Sequence, residues 1–125
     1  MILDTNALSA LAEGERSIEP ILKQAVNIRV PVVVLGEYRF GIAQSRERKS
    51  YERWLAEYLD RLRVLDITDE TSRYYAEIRL ELKMLGRPIP SNDLWIAALC
   101  RQLRLPVLSR DGHFDSVRGL KRIEW

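Results

Sequence analysis

The chain has 125 residues, with 20 Lys and Arg against 18 Asp and Glu, and 46% of it is apolar, as expected of one globular domain over residues 1–125. One Cys and one His exclude an intramolecular disulfide and a Cys/His zinc site, so a reducing compartment fits. A net charge of +2 does not by itself argue for nucleic acid. No apolar run reaches the roughly eighteen residues of a membrane span, and Met1-Ile2-Leu3-Asp4 lacks the pattern of a secretory signal, so a cytoplasmic protein is expected.

The first apolar run, Met1-Ile2-Leu3, reads as a buried strand. It is followed by a helix capped at Thr5 or Asn6, carrying Ala7 to Ala12 and stopping near Gly14. Ser17 to Ala25 reads as a second helix with Ile18, Ile21, Leu22 and Ala25 on one face. Ile28 to Val30 is a strand, Pro31 to Leu35 is open between strand and helix, and Leu35 to Ala43 has helical spacing. Tyr51 to Leu62 is an amphipathic helix, Val64 to Ile67 a strand, and Asp69 to Leu85 a long helix ended by Gly86. After the loop Arg87 to Pro90, Ser91 is the expected cap of a helix through Leu103. Leu105 to Ser109 is a buried strand, Arg110 to His113 a turn, and Leu120 to Trp125 a last edge strand. Short apolar strands alternating with helices predict a three-layer α/β sandwich around a mainly parallel sheet.

In such a sheet, sites form beyond the carboxyl ends of the strands. Asp4 follows the first strand, Glu37 lies early in the helix after the second, Asp93 is in the first turn of the helix at Ser91, and Asp111 follows the penultimate strand. Each has a plain alternative: an Asx-turn for Asp4, a surface position for Glu37, a helix-dipole partner for Asp93 and a turn residue for Asp111. Brought to one place, four carboxylates repel unless they share protons or a cation. A hard divalent ion, Mg²⁺ or Mn²⁺, suits an all-oxygen donor set and phosphodiester hydrolysis. There is no nucleotide-binding P-loop and no Gly-x-Ser-x-Gly elbow, and a single His excludes a metal-free ribonuclease built on a His pair.

Four segments carry a resemblance. They are Ile2-Leu3-Asp4-Thr5-Asn6, Glu37 to Ile42, Gly86 to Ala98 around Ser91-Asn92-Asp93, and Val107 to Phe114 around Ser109-Arg110-Asp111, followed by Gly119-Leu120 and Ile123 to Trp125. Taken in order over nearly the whole chain, they resemble the PIN domain, and more narrowly the VapC-type toxin ribonucleases of toxin–antitoxin modules. The resemblance implies a PIN-like fold and Mg²⁺- or Mn²⁺-dependent endoribonuclease activity, leaving a 5′-phosphate and a 3′-hydroxyl. It implies Asp4, Glu37, Asp93 and Asp111 as the acidic metal-binding and catalytic residues. Asn6 and Ser109 match polar positions beside them, and Asp115 is an extra acid. The implied substrate is a structured RNA of the translation machinery, a tRNA or a ribosomal RNA loop. The implied partners are a second copy of the chain and a VapB-type antitoxin that covers the groove and carries any contact with DNA.

Other residues divide between roles. Arg39 and Arg110 are candidate RNA contacts, and Arg46, Arg48 and Lys49 extend that basic stretch or form a solvated helix face. Trp54, Tyr58 and Leu62 read as core or subunit contact, and Cys100 as an inert core thiol. Trp95 bears on the substrate rim. Two competing readings are a PIN-like module that binds RNA without cutting it, and a phosphoacceptor receiver domain. The intact acid set argues against the first, and the missing second acid near Asp4 and missing late Lys argue against the second.

Overall fold

A computed structural model describes all 125 residues. Five short strands, β1 (Ile2–Leu3), β2 (Arg29–Pro31), β3 (Arg63–Leu65), β4 (Val107–Leu108) and β5 (Arg122–Ile123), form one sheet in the order β3-β2-β1-β4-β5. Every pairing is parallel, with Ile2 against Arg29 on one side and Val107 on the other. Ile2, Leu3, Val30, Val107 and Leu108 have no exposed surface, as central parallel strands covered on both faces require. Six helices flank the sheet: α1 (Thr5–Ala12), α2 (Glu19–Gln24), α3 (Val32–Ala43), α4 (Arg48–Leu59), α5 (Asp69–Met84) and α6 (Ser91–Leu103). The architecture is therefore the expected three-layer α/β sandwich. No helix is long and apolar enough to cross a membrane.

Local chemistry moved three expected boundaries. Asp4, not Thr5 or Asn6, caps α1: its carbonyl accepts from Leu8 N–H at 3.1 Å and its carboxylate from Thr5 N–H at 2.7 Å. Thr5 and Asn6 therefore lie inside the helix, with their side chains free to make tertiary bonds. Ser91 is likewise the first helical residue rather than the cap. Pro90, extended at φ −57° and ψ 150°, precedes it, and the Pro90 carbonyl takes Leu94 N–H. The helix expected over 17–25 is split into a 3₁₀ turn, Arg16–Ile18, and α2, because Pro20 has no N–H to donate and is tolerated only in a first turn.

The ambiguous run after Pro31 is helix from Val32, so Pro31 both ends β2 and precedes α3. The last strand is shorter than expected, Arg122–Ile123, and the turn after β4 becomes a 3₁₀ turn, Gly112–Ser116. Trp95 faces away from any rim and stacks on Tyr75 between α6 and α5, with ring centroids 4.1 Å apart. Trp54 stacks on Tyr58 at 4.8 Å and tilts against buried Tyr38 at 6.2 Å. Cys100 is buried, and its thiol pKa is pushed up by that burial.

The chain runs from β1 outward through β2 to β3, then crosses back to place β4 on the other side of β1. The strand order reverses between β1 and β4. A crevice opens at such a point beyond the strand carboxyl ends.

Candidate active site

The crevice is lined by Asp4, Glu37, Asp93 and Asp111, so all four expected carboxylates meet there. Asp4 leaves β1, Glu37 sits in the second turn of α3 after β2, Asp111 follows β4, and Asp93 comes from the first turn of α6. Helix α1 forms one wall with Asn6, Ser9, Ala10 and Glu13, the i, i+3, i+4, i+7 face of a helix.

Asp4 is only 4% exposed and is held by three donors. Besides Thr5 N–H, its carboxylate accepts from Ser109 Oγ at 2.6 Å and Asn6 Nδ2 at 3.0 Å. Burial raises its pKa above the usual aspartate range. The Ser109 and Thr5 donors pull it back, and the nearby charges of Asp93 and Glu37 push it further up. Ser109, fully buried, also accepts Asp111 N–H at 2.9 Å, so one hydroxyl ties the Asp4 carboxylate to the backbone of Asp111. Asn6 completes the link by accepting Arg110 N–H at 3.1 Å.

Glu37 is half-buried and takes a hydrogen bond from Thr5 Oγ1 at 2.7 Å and another from Asn92 Nδ2. Asp93 is raised by burial. Asp111 adds repulsion, and the His113 contact lowers Asp93 without cancelling the burial effect. His113 Nδ1 lies 2.9 Å from Asp93 and 3.1 Å from Asp111, and the Asp93 hydrogen bond raises the imidazole above its ordinary value. Donor atoms of Asp93, Asp111 and His113 all fall within 4.8 Å of one another, while Asp4 and Glu37 line the same groove outside that tight group. Crowded carboxylates facing one groove, with the ionised forms of Asp4 and Asp93 disfavoured, fit a hard divalent cation.

Two expected participants stand elsewhere, and a third is already paired. Asp115 is not in the groove: Arg122 binds both its oxygens at 2.9 Å, which lowers its pKa. Arg39 is exposed on α3 and does not line the groove. Arg110 does line it, but its guanidinium pairs with Glu15 and lies 4.3 Å over the Trp125 ring, whose Nε1 donates to the same Glu15. Sequence reasoning did not anticipate Glu13 and Glu15, which add two acids to the groove, or Asn92, which orients Glu37. Asn92 was findable as the neighbour of Asp93 in a helical first turn. Glu13 and Glu15, split by Gly14, carry no local signal.

A parallel sheet with carboxylates gathered at its order reversal defines an acid-lined α/β domain. The PIN domain family profile matches residues 1–120. The Ribonuclease VapC5 of Mycobacterium tuberculosis is 30% identical over 125 residues, covering 98% of this chain and 91% of that protein. The Ribonuclease VapC2 of Rickettsia felis is 30% identical over 101 residues, covering 78% of this chain and 75% of its own length. A crystal structure of VapBC2 from Rickettsia felis, bound to a DNA fragment from its promoter, superposes with a TM-score of 0.91 at 25% identity, covering 99% of this chain and 97% of the matched one. DNA-bound VapBC from Salmonella typhimurium shares the fold, with a TM-score of 0.88 at 23% identity over 99% and 96% of the two chains. The chain belongs to the PIN domain family, within its VapC branch.

Proposed function

We propose that this chain is a metal-dependent endoribonuclease and the toxin of a toxin–antitoxin pair. The observation that carries the reading is the meeting of Asp4, Glu37, Asp93 and Asp111 in one crevice, two of them with raised pKa values. The names of its relatives, ribonucleases of the VapC group, support the same activity. Asp93 and Asp111, with Asp4 and Glu37 beside them, would hold Mg²⁺ or Mn²⁺. When bound, the ion supplies Lewis-acid activation of water and neutralises charge on the attacked phosphate.

The chain's own residues do the positioning. Ser109, Asn6 and the α1 N-terminus fix the Asp4 carboxylate in one orientation. Thr5 and Asn92 aim Glu37 into the groove. Ser109 couples Asp111 to Asp4. The substrate is an RNA of the translation machinery, a tRNA or a ribosomal RNA loop. A VapB-type antitoxin is the inhibiting partner, the toxin pairs with a second copy of itself in the cytoplasm, and DNA is reached only through the antitoxin. Structural neighbours that are VapBC complexes bound to DNA support this partnership.

The test is incubation of antitoxin-free protein with total cellular RNA in Mg²⁺, in Mn²⁺ and in chelator, with new 5′ ends mapped. Discrete cuts that need the metal and vanish in Asp93→Asn are expected, and they name the substrate. Folded protein that cuts nothing with either metal points to a binding module, and cuts that persist in Asp93→Asn put the active centre elsewhere.

A further inference from the structure

An RNA strand reaching the carboxylates must enter a groove lined by six acids. Its one cation, Arg110, is already bound to Glu15. Binding of a polyphosphate strand is driven by unpaired cations, so its affinity has to come from outside this groove.

The surface offers two clusters of basic residues. Arg46, Arg48, Lys49 and Arg53 surround an open basin of about 790 Å³ at the α3–α4 turn, with no apolar side chain in its wall. Although Glu47 borders it, none of the four basic residues is paired with a carboxylate. The second cluster, Arg104, Arg118 and Lys121, lies by the starts of β4 and β5, at the opposite end of the sheet from the carboxylates.

Continuity decides between them. The acidic groove shares Thr5, Ser9, Glu13 and Glu37 with a hollow between α1, α3 and α4. That hollow extends along α3 to Ser45, which is also a wall of the α3–α4 basin. Glu37 to Ser45 spans about 12 Å at the helical rise, the length of about three to four stacked nucleotides. The half-buried ring of Tyr51 lines the passage. The passage itself carries no cation and two of the groove's acids, so the basin supplies the charge that holds a strand and Tyr51 supplies an aromatic face on which a base can stack. The second cluster shares no wall with the acidic groove.

We propose that the α3–α4 basin anchors a single-stranded RNA flank, whose chain then runs between α1, α3 and α4 to the carboxylates. The assignment of the strand's far end rests on the nuclease reading above; the binding site itself does not.

The test is fluorescence anisotropy with a short fluorescein-labelled single-stranded RNA, in chelator so that nothing is cut, over a series of salt concentrations. The full chain is compared with Arg46→Gln/Arg48→Gln/Arg53→Gln and with the charge-matched Arg104→Gln/Arg118→Gln/Lys121→Gln. Circular dichroism checks that these exposed substitutions leave the fold intact. The basin variant is expected to bind at least about tenfold more weakly, with a log–log salt slope shallower by about 2 for three lost phosphate contacts on a single strand. The control variant is expected to bind like the parent. Equal weakening in both variants, or none in the basin variant, overturns the proposal. So does unchanged RNA affinity accompanied by lost binding of the cognate protein partner, which would make the basin a protein-docking surface. Binding through the basin by a chain that never cuts RNA sinks the nuclease reading and leaves the anchor standing.

Discussion

His113 is the single histidine, and its ring lies against Asp93 and Asp111. Its contact with Asp93 raises the imidazole pKa, so the charged ring is favoured in the folded chain. For a base with a raised pKa the sign is fixed. The contact contributes stability fully below the unfolded value near 6.5, and the contribution is lost as pH rises through the higher folded value. The ring is half exposed, so the contribution is small and solvent-screened. Titration of the one imidazole signal by NMR, in chelator, is expected to give a midpoint above the ordinary value. Asp93→Asn is expected to bring it back down, because the largest upward cause is then gone. Saturating Mg²⁺ is expected to lower it in the parent by drawing Asp93 and Asp111 to the ion. A midpoint indifferent to both would break the link between His113 and the acid cluster.

At the scale of elements, α6 delivers Asp93, and α5 fixes α6. Thr71, fully buried in the first turn of α5, accepts Thr68 N–H at 3.1 Å and donates to Gln102 of α6 at 2.7 Å. Arg101 of α6 reaches Glu77 and Glu81 of α5, and Trp95 stacks on Tyr75. Thr71→Val keeps the volume but strands one donor and one acceptor, a loss of about 1–3 kcal/mol. A lower urea midpoint at unchanged slope is expected, with RNA cleavage retained below the transition because this turn lies away from the groove. An unmoved midpoint would mean that the Thr71 link carries no stability. The same elements show why the sequence was legible where it was. Apolar runs such as Val107-Leu108 and the helical spacing of α5 and α6 follow from burial, which is written locally. Asp4 and Asp111 were visible because they sit at strand ends. The cap shift from Thr5 or Asn6 to Asp4 was not, since three successive residues all make acceptable caps and only the tertiary bonds of Thr5 to Glu37 and of Asn6 to Arg110 select one. Glu15 was hidden for the same reason: its partners Arg110 and Trp125 are far along the chain.

Across the whole molecule the near-neutral total of +2 conceals a strong separation of charge, with six acids gathered in one groove and unpaired arginines at the α3–α4 turn. Gathering acids raises the free energy of the metal-free fold. For Asp4 and Asp93, burial and mutual repulsion raise the folded pKa, so the folded state holds protons that the unfolded chain has released. Stability then falls as pH rises from the ordinary aspartate value through the raised one. A cation that binds only the folded chain offsets this by mass action, about 2.7 kcal/mol at a hundred times its Kd. For a chain of this size that corresponds to a rise in Tm on the order of 10 °C. Thermal melts at pH 7.5 with Mg²⁺ or Mn²⁺ against chelator are expected to show that rise. In Asp93→Asn the metal shift is expected to collapse to a small fraction, while the metal-free melt is at least as high as the parent's, because one half-buried charge among like charges is gone. A variant that kept the full shift would place the cation elsewhere, and one that lost it with a much lower metal-free Tm would make Asp93 a structural residue.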